Sequence, residues 1–195
     1  MQFKETIKEF KEVFGKEEVK SISRRYFVSN GFDGTLTSIG ITVGSYLSGV
    51  STGITVFKVG MGAAIGLATS GVWSVWEIER AEKRAELKDL EKHMQKDLSE
   101  TRLYEDKKKA RMINSFMSGL GPTLAVFLVV SPFLLEETIL SMFQATLASV
   151  GMGMSLLFVL GAYMGNISDQ NLVKAGIRMA LAGLIVAILN VVLPG

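Results

Sequence analysis

The chain contains no cysteine, one histidine, three prolines and two tryptophans among 195 residues. Without cysteine there is no disulfide, no thiolate nucleophile and no thiolate metal site. A single histidine leaves no donor set for a permanent structural zinc site. The chain also lacks G-x-S-x-G, H-E-x-x-H and Walker-type phosphate-loop motifs, so hydrolytic chemistry and ATP-driven pumping find no support, and the chain is read as a non-enzyme. Excess charge is missing too. Twenty-one Lys and Arg against nineteen Asp and Glu give a formal net charge of +2, which supplies no reason to expect nucleic acid as a partner. Residues 1–25 have no apolar core and no A-x-A site, so no cleavable leader is expected and the first span would direct insertion.

What is present is segregated. The chain is 48% hydrophobic and 21% charged, with mean hydropathy +0.33. Long uncharged runs alternate with segments in which nearly every other residue is charged, the signature of an integral membrane protein. The fold class expected is all-α, with five transmembrane helices at about 26–49, 55–76, 113–135, 140–164 and 174–193. Residues 1–25 read as an amphipathic helix with Phe3, Ile7, Phe10 and Phe14 on one face, interrupted at Gly15. Such a helix lies in the membrane interface or packs on the rest of the protein, and the pattern does not choose between them. Residues 26–76 hold the first two spans, 77–111 form a charged helical insert, and 112–195 hold the last three spans. The insert has no Pro or Gly and is expected to be helical at least to Leu98, continuing the second span. Pro122 should kink the third span unless a neighbour satisfies the carbonyl that it frees.

Charge fixes the expected orientation. Residues 1–25 carry 7 Lys and Arg, residues 77–111 carry 11, and Lys174 and Arg178 flank the connection between spans four and five. Lys58 alone falls toward the other side, a split of 20 to 1. The positive-inside rule then gives a cytoplasmic N-terminus, a cytoplasmic insert and an outside C-terminus.

The first span organises the rest. It carries one ionised side chain, Asp33, followed by Gly34. A carboxylate in hydrocarbon costs on the order of 3 kcal/mol or more and is functional by default. Asp33 lies about seven residues in, about 10 Å deep. The structural alternatives are pairing with Arg24 or Arg25, or capping by Asn30. The functional reading is a cation or proton site, and because one carboxylate is too few for a divalent ion, a symmetric dimer would supply two. On the insert, Glu79, Glu82, Glu86, Asp89 and His93 recur at steps of 3, 4, 3 and 4, which aligns them on one stripe. Carboxylates with an imidazole suit Fe2+, Mn2+ or Zn2+. The plainer reading is a solvated charged face balanced by Arg80, Lys83, Arg84 and Lys88. Met61, Met117, Met152 and Met154 offer thioether sulfur, although methionine in a membrane helix more often serves packing.

The string NGFDGTLTSIGITVGSY, preceded by Arg24 and Arg25, resembles the first-span motif of the vacuolar iron transporter (VIT) family. The PFLL end of the third span and the fifth-span run RMALAGLIVA extend the resemblance over roughly residues 24–195. It implies a divergent prokaryotic member in the cell membrane. Such a protein is a homodimer that moves Fe2+ or Mn2+ out of the cytoplasm in exchange for protons, with no permanently bound cofactor. It implies a transport path lined by Asp33, Gly34 and Asn30, and metal contacts from Asp33, Glu79, Glu82, Glu86, Asp89 and Met61, with Glu77, His93 and Met94 as further candidates. Two features depart from the family pattern. Val59 and Leu67 stand where second-span ligands are expected, and the insert is short, about 35 residues. A non-transporting membrane scaffold of the same fold is therefore the competing reading.

Overall fold

A computed structural model describes residues 9–95, 101–136 and 138–193. The described residues are helical with no strand. A short helical stretch over 9–14 turns at Gly15 and leads into α1, Glu17–Leu47. Then come α2 (Gly53–Met94), α3 (Arg102–Val130) with a 3-10 turn at Ser131–Leu135, α4 (Met142–Ile167) and α5 (Leu172–Val192). Phe3 and Ile7 of the expected amphipathic helix lie outside the described residues. Phe10 and Phe14 line an apolar groove with Met112 and Phe116, and Val13 packs with Val19 and Ala110, so this stretch docks on α3.

Local chemistry sets the helix ends. Glu17 and Glu18 occupy the first turn of α1, where the helix dipole favours anions. Gly49, at φ 71, turns the chain back within five residues, and α2 runs antiparallel to α1. The N-terminus of α2 receives the Glu136 carboxylate, which accepts from the Gly53 N–H at 2.9 Å. Thr101 caps α3 by accepting from the Tyr104 N–H. Ser141 and Gln144 form a capping box on α4.

α2 is 42 residues long, about 63 Å, roughly twice a bilayer core. The helix expected at least to Leu98 runs to Met94 and is closed by Gln95 at φ 51, while Leu98 itself lies outside the described residues. α3 begins at Arg102, eleven residues before the apolar run at 113. The charged insert is thus mainly two helical arms, the end of α2 and the start of α3, folded against each other. Pro122 lies inside α3 and does not end it.

α1 is the hub and touches each of the other four helices. Ile39, Val43 and Leu157 form one core cluster, and Val56, Val126, Val130, Phe133 and Ala145 another. Among the described residues four elements are long and apolar enough to cross a membrane: α2, α3 with its 3-10 end, α4 and α5. α1, expected as the first span, is not among them. Asn30 and Asp33 lower its hydropathy, as do Thr35, Ser38 and Thr42, which are completely buried against its neighbours. Their hydroxyls are all satisfied: Thr35 donates to the Gly31 carbonyl, Ser38 to the Gly34 carbonyl, and Thr42 shares a 2.9 Å hydrogen bond with Ser149 of α4. Ser149 in turn donates to the Val129 carbonyl of α3. Small and hydroxylated residues are what close helix contacts in a membrane protein require.

The small-residue motifs divide by use. A Cβ at Gly161 would lie 2.6 Å from the Ala175 carbonyl oxygen, so this glycine sets the α4–α5 approach. Gly62 and Gly66 of α2 face open space within the protomer.

Candidate functional site

The first-span motif presents its residues in different directions. Gly31 and Gly34 face α3. A Cβ at Gly34 would sit 2.8 Å from the Pro122 Cα, too close for any larger residue without movement. Pro122 has no N–H, so the carbonyl four residues earlier, that of Ser118, loses its helical partner. Asn30 supplies one: its Nδ2 donates to the Ser118 carbonyl at 3.0 Å and also to the Ser118 hydroxyl. The freed carbonyl is thereby satisfied by a neighbour, and Asn30 and Gly34 act in the α1–α3 contact.

Asp33 points elsewhere. It is exposed on the protomer surface, while Gly31, Gly34 and Thr35 around it are buried. Among the described residues no side chain or backbone group hydrogen-bonds or ion-pairs with it. Arg25 lies over the Tyr26 ring at 5.6 Å, Asn30 is committed to Ser118, and among the described residues no ion pair joins Asp33 to Arg24, so none of the three expected structural partners takes up the carboxylate.

The acidic stripe of the insert is divided by the fold. Glu79 is 1% exposed and turned inward, where its Oε1 accepts from the Tyr26 hydroxyl at 3.3 Å. Its Oε2 is buried with no partner. This carboxylate sits at a junction of three helices. Tyr26–Glu79 joins α1 to α2, Ser23–Asn114 (2.7 Å) joins α1 to α3, and Trp76–Arg111 (4.1 Å to the ring) joins α2 to α3. The same junction holds the unpartnered Asn114 Nδ2, Ser115 Oγ and Arg111 Nε. Buried unpaired polar atoms of this kind are uncommon and call for a bound proton, water or ion.

Glu86 is taken by lysines. Lys83 reaches it at 3.4 Å and Lys107 also bonds it, while Lys83 bonds Glu18 of α1 at 3.0 Å. Burial raises the Glu86 carboxyl, but the Lys107 hydrogen bond and the charges of Lys83 and Lys107 outweigh it and hold the group below its ordinary value. Burial lowers Lys83, and the Glu18 hydrogen bond with the charges of Glu18, Glu86 and Glu79 drives it above its ordinary value. Glu82 and Asp89 are exposed, and His93 pairs with Asp89 one turn away at 3.6 Å. Glu77 is exposed and pairs with Arg80 at 3.5 Å. Met94 is exposed and Met61 half-buried. Among the described residues no three Asp, Glu, His or Cys side chains lie close enough to share an ion. The stripe alone therefore makes no metal centre within one protomer.

The junction residues Tyr26, Asn114 and Ser115 were not singled out by sequence. The available signal was a run of polar residues, Asn114, Ser115 and Ser118, opening an apolar span at helical spacing.

A model of the VIT family matches residues 73–193. An uncharacterized protein of Methanocaldococcus jannaschii is 29% identical over 168 residues, which cover 85% of each chain.

Proposed function

Because the chain belongs to the VIT family, whose members are transporters, we propose that it is a divalent metal carrier that exports Fe2+ or Mn2+ from the cytoplasm in exchange for protons. It works as a homodimer in a prokaryotic cell membrane, with α1 as a fifth span and with the Asp33 carboxylates of two protomers lining the path between them. The observation that carries this reading is Asp33 itself. It is exposed and unpartnered among the described residues, on a helix that touches each of the other four and buries Gly31, Gly34 and Thr35 beside it. A lone carboxylate about 10 Å inside the bilayer and facing lipid would be costly. A second copy covering that face removes the lipid contact and brings two carboxylates together, the minimum for a hard or borderline divalent ion.

The remaining expected residues take distinct places in this scheme. Glu82, Glu86 and Asp89 present carboxylates toward the cytoplasm, where they gather ions and pass them toward the Asp33 pair. Glu79, turned inward toward Tyr26 with one oxygen free, is placed to exchange a proton as the cation moves. Gly34 and Asn30 hold α1 against α3 so that Asp33 keeps its orientation. Met61, or Glu77 at the cytoplasmic mouth, substitutes for the ligands absent at Val59 and Leu67.

The test is metal flux into proteoliposomes under a pH gradient, with Fe2+, Mn2+ and Ca2+ compared side by side. Asp33→Asn should abolish saturable Fe2+ or Mn2+ flux while the protein stays folded. Full transport by that variant would refute the reading. Absence of both flux and calorimetric Fe2+ binding in the unaltered chain would favour the scaffold alternative, for which the missing second-span ligands are the specific support.

A further inference from the structure

Between the two charged arms, at the level of Trp76, lies a cavity of about 280 Å3. Arg80, Lys83 and Arg84 of α2 and Lys107, Lys108 and Arg111 of α3 line it, and no acidic side chain does. Three of the six cations have carboxylate partners: Arg80 with Glu77, Lys83 with Glu18 and Glu86, and Lys107 with Glu86. Arg84, Lys108 and Arg111 have none among the described residues. The Arg111 guanidinium lies over the Trp76 ring, 4.1 Å from its centre, and its Nε is buried without an acceptor among the described residues. The three cations left without carboxylate partners repel one another, and an anion with several acceptor oxygens relieves that repulsion.

We propose that this cavity is a binding site for a phosphate-bearing anion. Phosphate offers multiple acceptor oxygens and more than one charge, which suits a planar guanidinium flanked by flexible cations. The position adds to the argument. Trp76 stands where α2 passes from its apolar to its charged part, the level at which aromatic side chains meet lipid headgroups. Basic pockets at that level take anionic headgroups. The phosphate therefore comes either from an anionic lipid or from solution. The proposal needs α2 and α3 to leave the membrane here but does not need metal transport, so a failed flux assay leaves it standing.

The test uses the full chain and three proteins: unaltered, Arg84→Gln with Lys108→Gln, and a control, Lys88→Gln with Lys92→Gln, that removes the same charge from exposed positions outside the cavity. Each is reconstituted in nanodiscs of phosphatidylcholine with and without phosphatidylglycerol and examined for retained lipid by native mass spectrometry. Each is also titrated in detergent with inorganic phosphate and pyrophosphate by calorimetry. The unaltered and control proteins should bind alike, and the cavity variant at least about tenfold more weakly, the loss of roughly one charge-assisted contact. Retention of phosphatidylglycerol alone identifies the headgroup as the source, and binding of the soluble anions alone identifies free phosphate. No binding in either arm, or equal weakening of the control, overturns the proposal.

Discussion

Asn30, Asp33 and Gly34 lie within five residues of one another, and geometry gives each a different task. Gly34 admits the Pro122 backbone, Asn30 replaces the hydrogen bond that Pro122 removes, and Asp33 is left free. Their substitutions should therefore separate stability from transport. Gly34→Ala puts a methyl group 2.8 Å from a backbone atom that has no room to rotate away, so thermal unfolding in detergent should show a loss of about 1–3 kcal/mol. Asn30→Ala leaves the Ser118 carbonyl unpaired and should cost about 1 kcal/mol in the same assay. Asp33→Asn removes no contact within the protomer and should leave the unfolding of detergent-separated protomers unchanged. A large loss for Asp33→Asn there would mean that the carboxylate serves the fold. Sequence made Asp33 visible because a charge in an apolar run is conspicuous. It associated Asn30 with Asp33 because they are one turn apart, whereas the partner that Asn30 actually takes is 88 residues away, and no local pattern records such a pairing.

At the scale of elements, α1 shows why hydropathy undervalues an inner helix. Thr35, Ser38 and Thr42 are inward-facing packing groups with satisfied hydroxyls, so this part of its polarity reports enclosure by other helices rather than contact with water. The long charged run was legible as helix from its composition, but its fold-back was not, because Gln95 carries no glycine or proline signal for the left-handed turn it makes. The two arms are held to each other and to α1 by the Glu18–Lys83–Glu86–Lys107 chain. Glu86 titrates below its ordinary 4.5 in the folded protein. Its contribution is thus complete above that ordinary value and is lost as the pH falls through the lower folded value. Lys83 behaves oppositely: its contribution is complete below the ordinary 10.5 and is lost as the pH rises through its higher folded value. Because Glu86 is about half exposed, the pair effect is small, about 0.2–1 kcal/mol. Thermal unfolding followed downward from neutral pH should show an acid-side decline that is shallower in Glu86→Gln. Identical curves would show that the chain of pairs does not hold the arms.

For the whole molecule, the decisive question is which side each connection faces. Four helices pass on length and hydropathy alone, and α1 enters only through its burial among them. If α1 also crosses, the 9–25 segment and the two charged arms share one side, and the 48–52 turn lies on the other. If α1 instead stays at one surface, 9–25 and 48–52 share a side, and the Asp33 carboxylate sits in the interface rather than in a path. The absence of cysteine makes this directly measurable, since a single introduced thiol is the only one in the chain. Ser21→Cys, Ser51→Cys and Lys92→Cys are all at exposed positions. In intact cells, an impermeant maleimide should label Ser51→Cys alone, and Ser21→Cys and Lys92→Cys should react only after the membrane is opened. Labelling of Ser21→Cys and Ser51→Cys from the same side would remove α1 from the membrane and the transport path with it. The expected pattern instead sets the bundle with 20 of its 21 basic residues toward the cytoplasm, and Asp33 about 10 Å inside the same face, directly ahead of the arms that carry Glu82, Glu86 and Asp89.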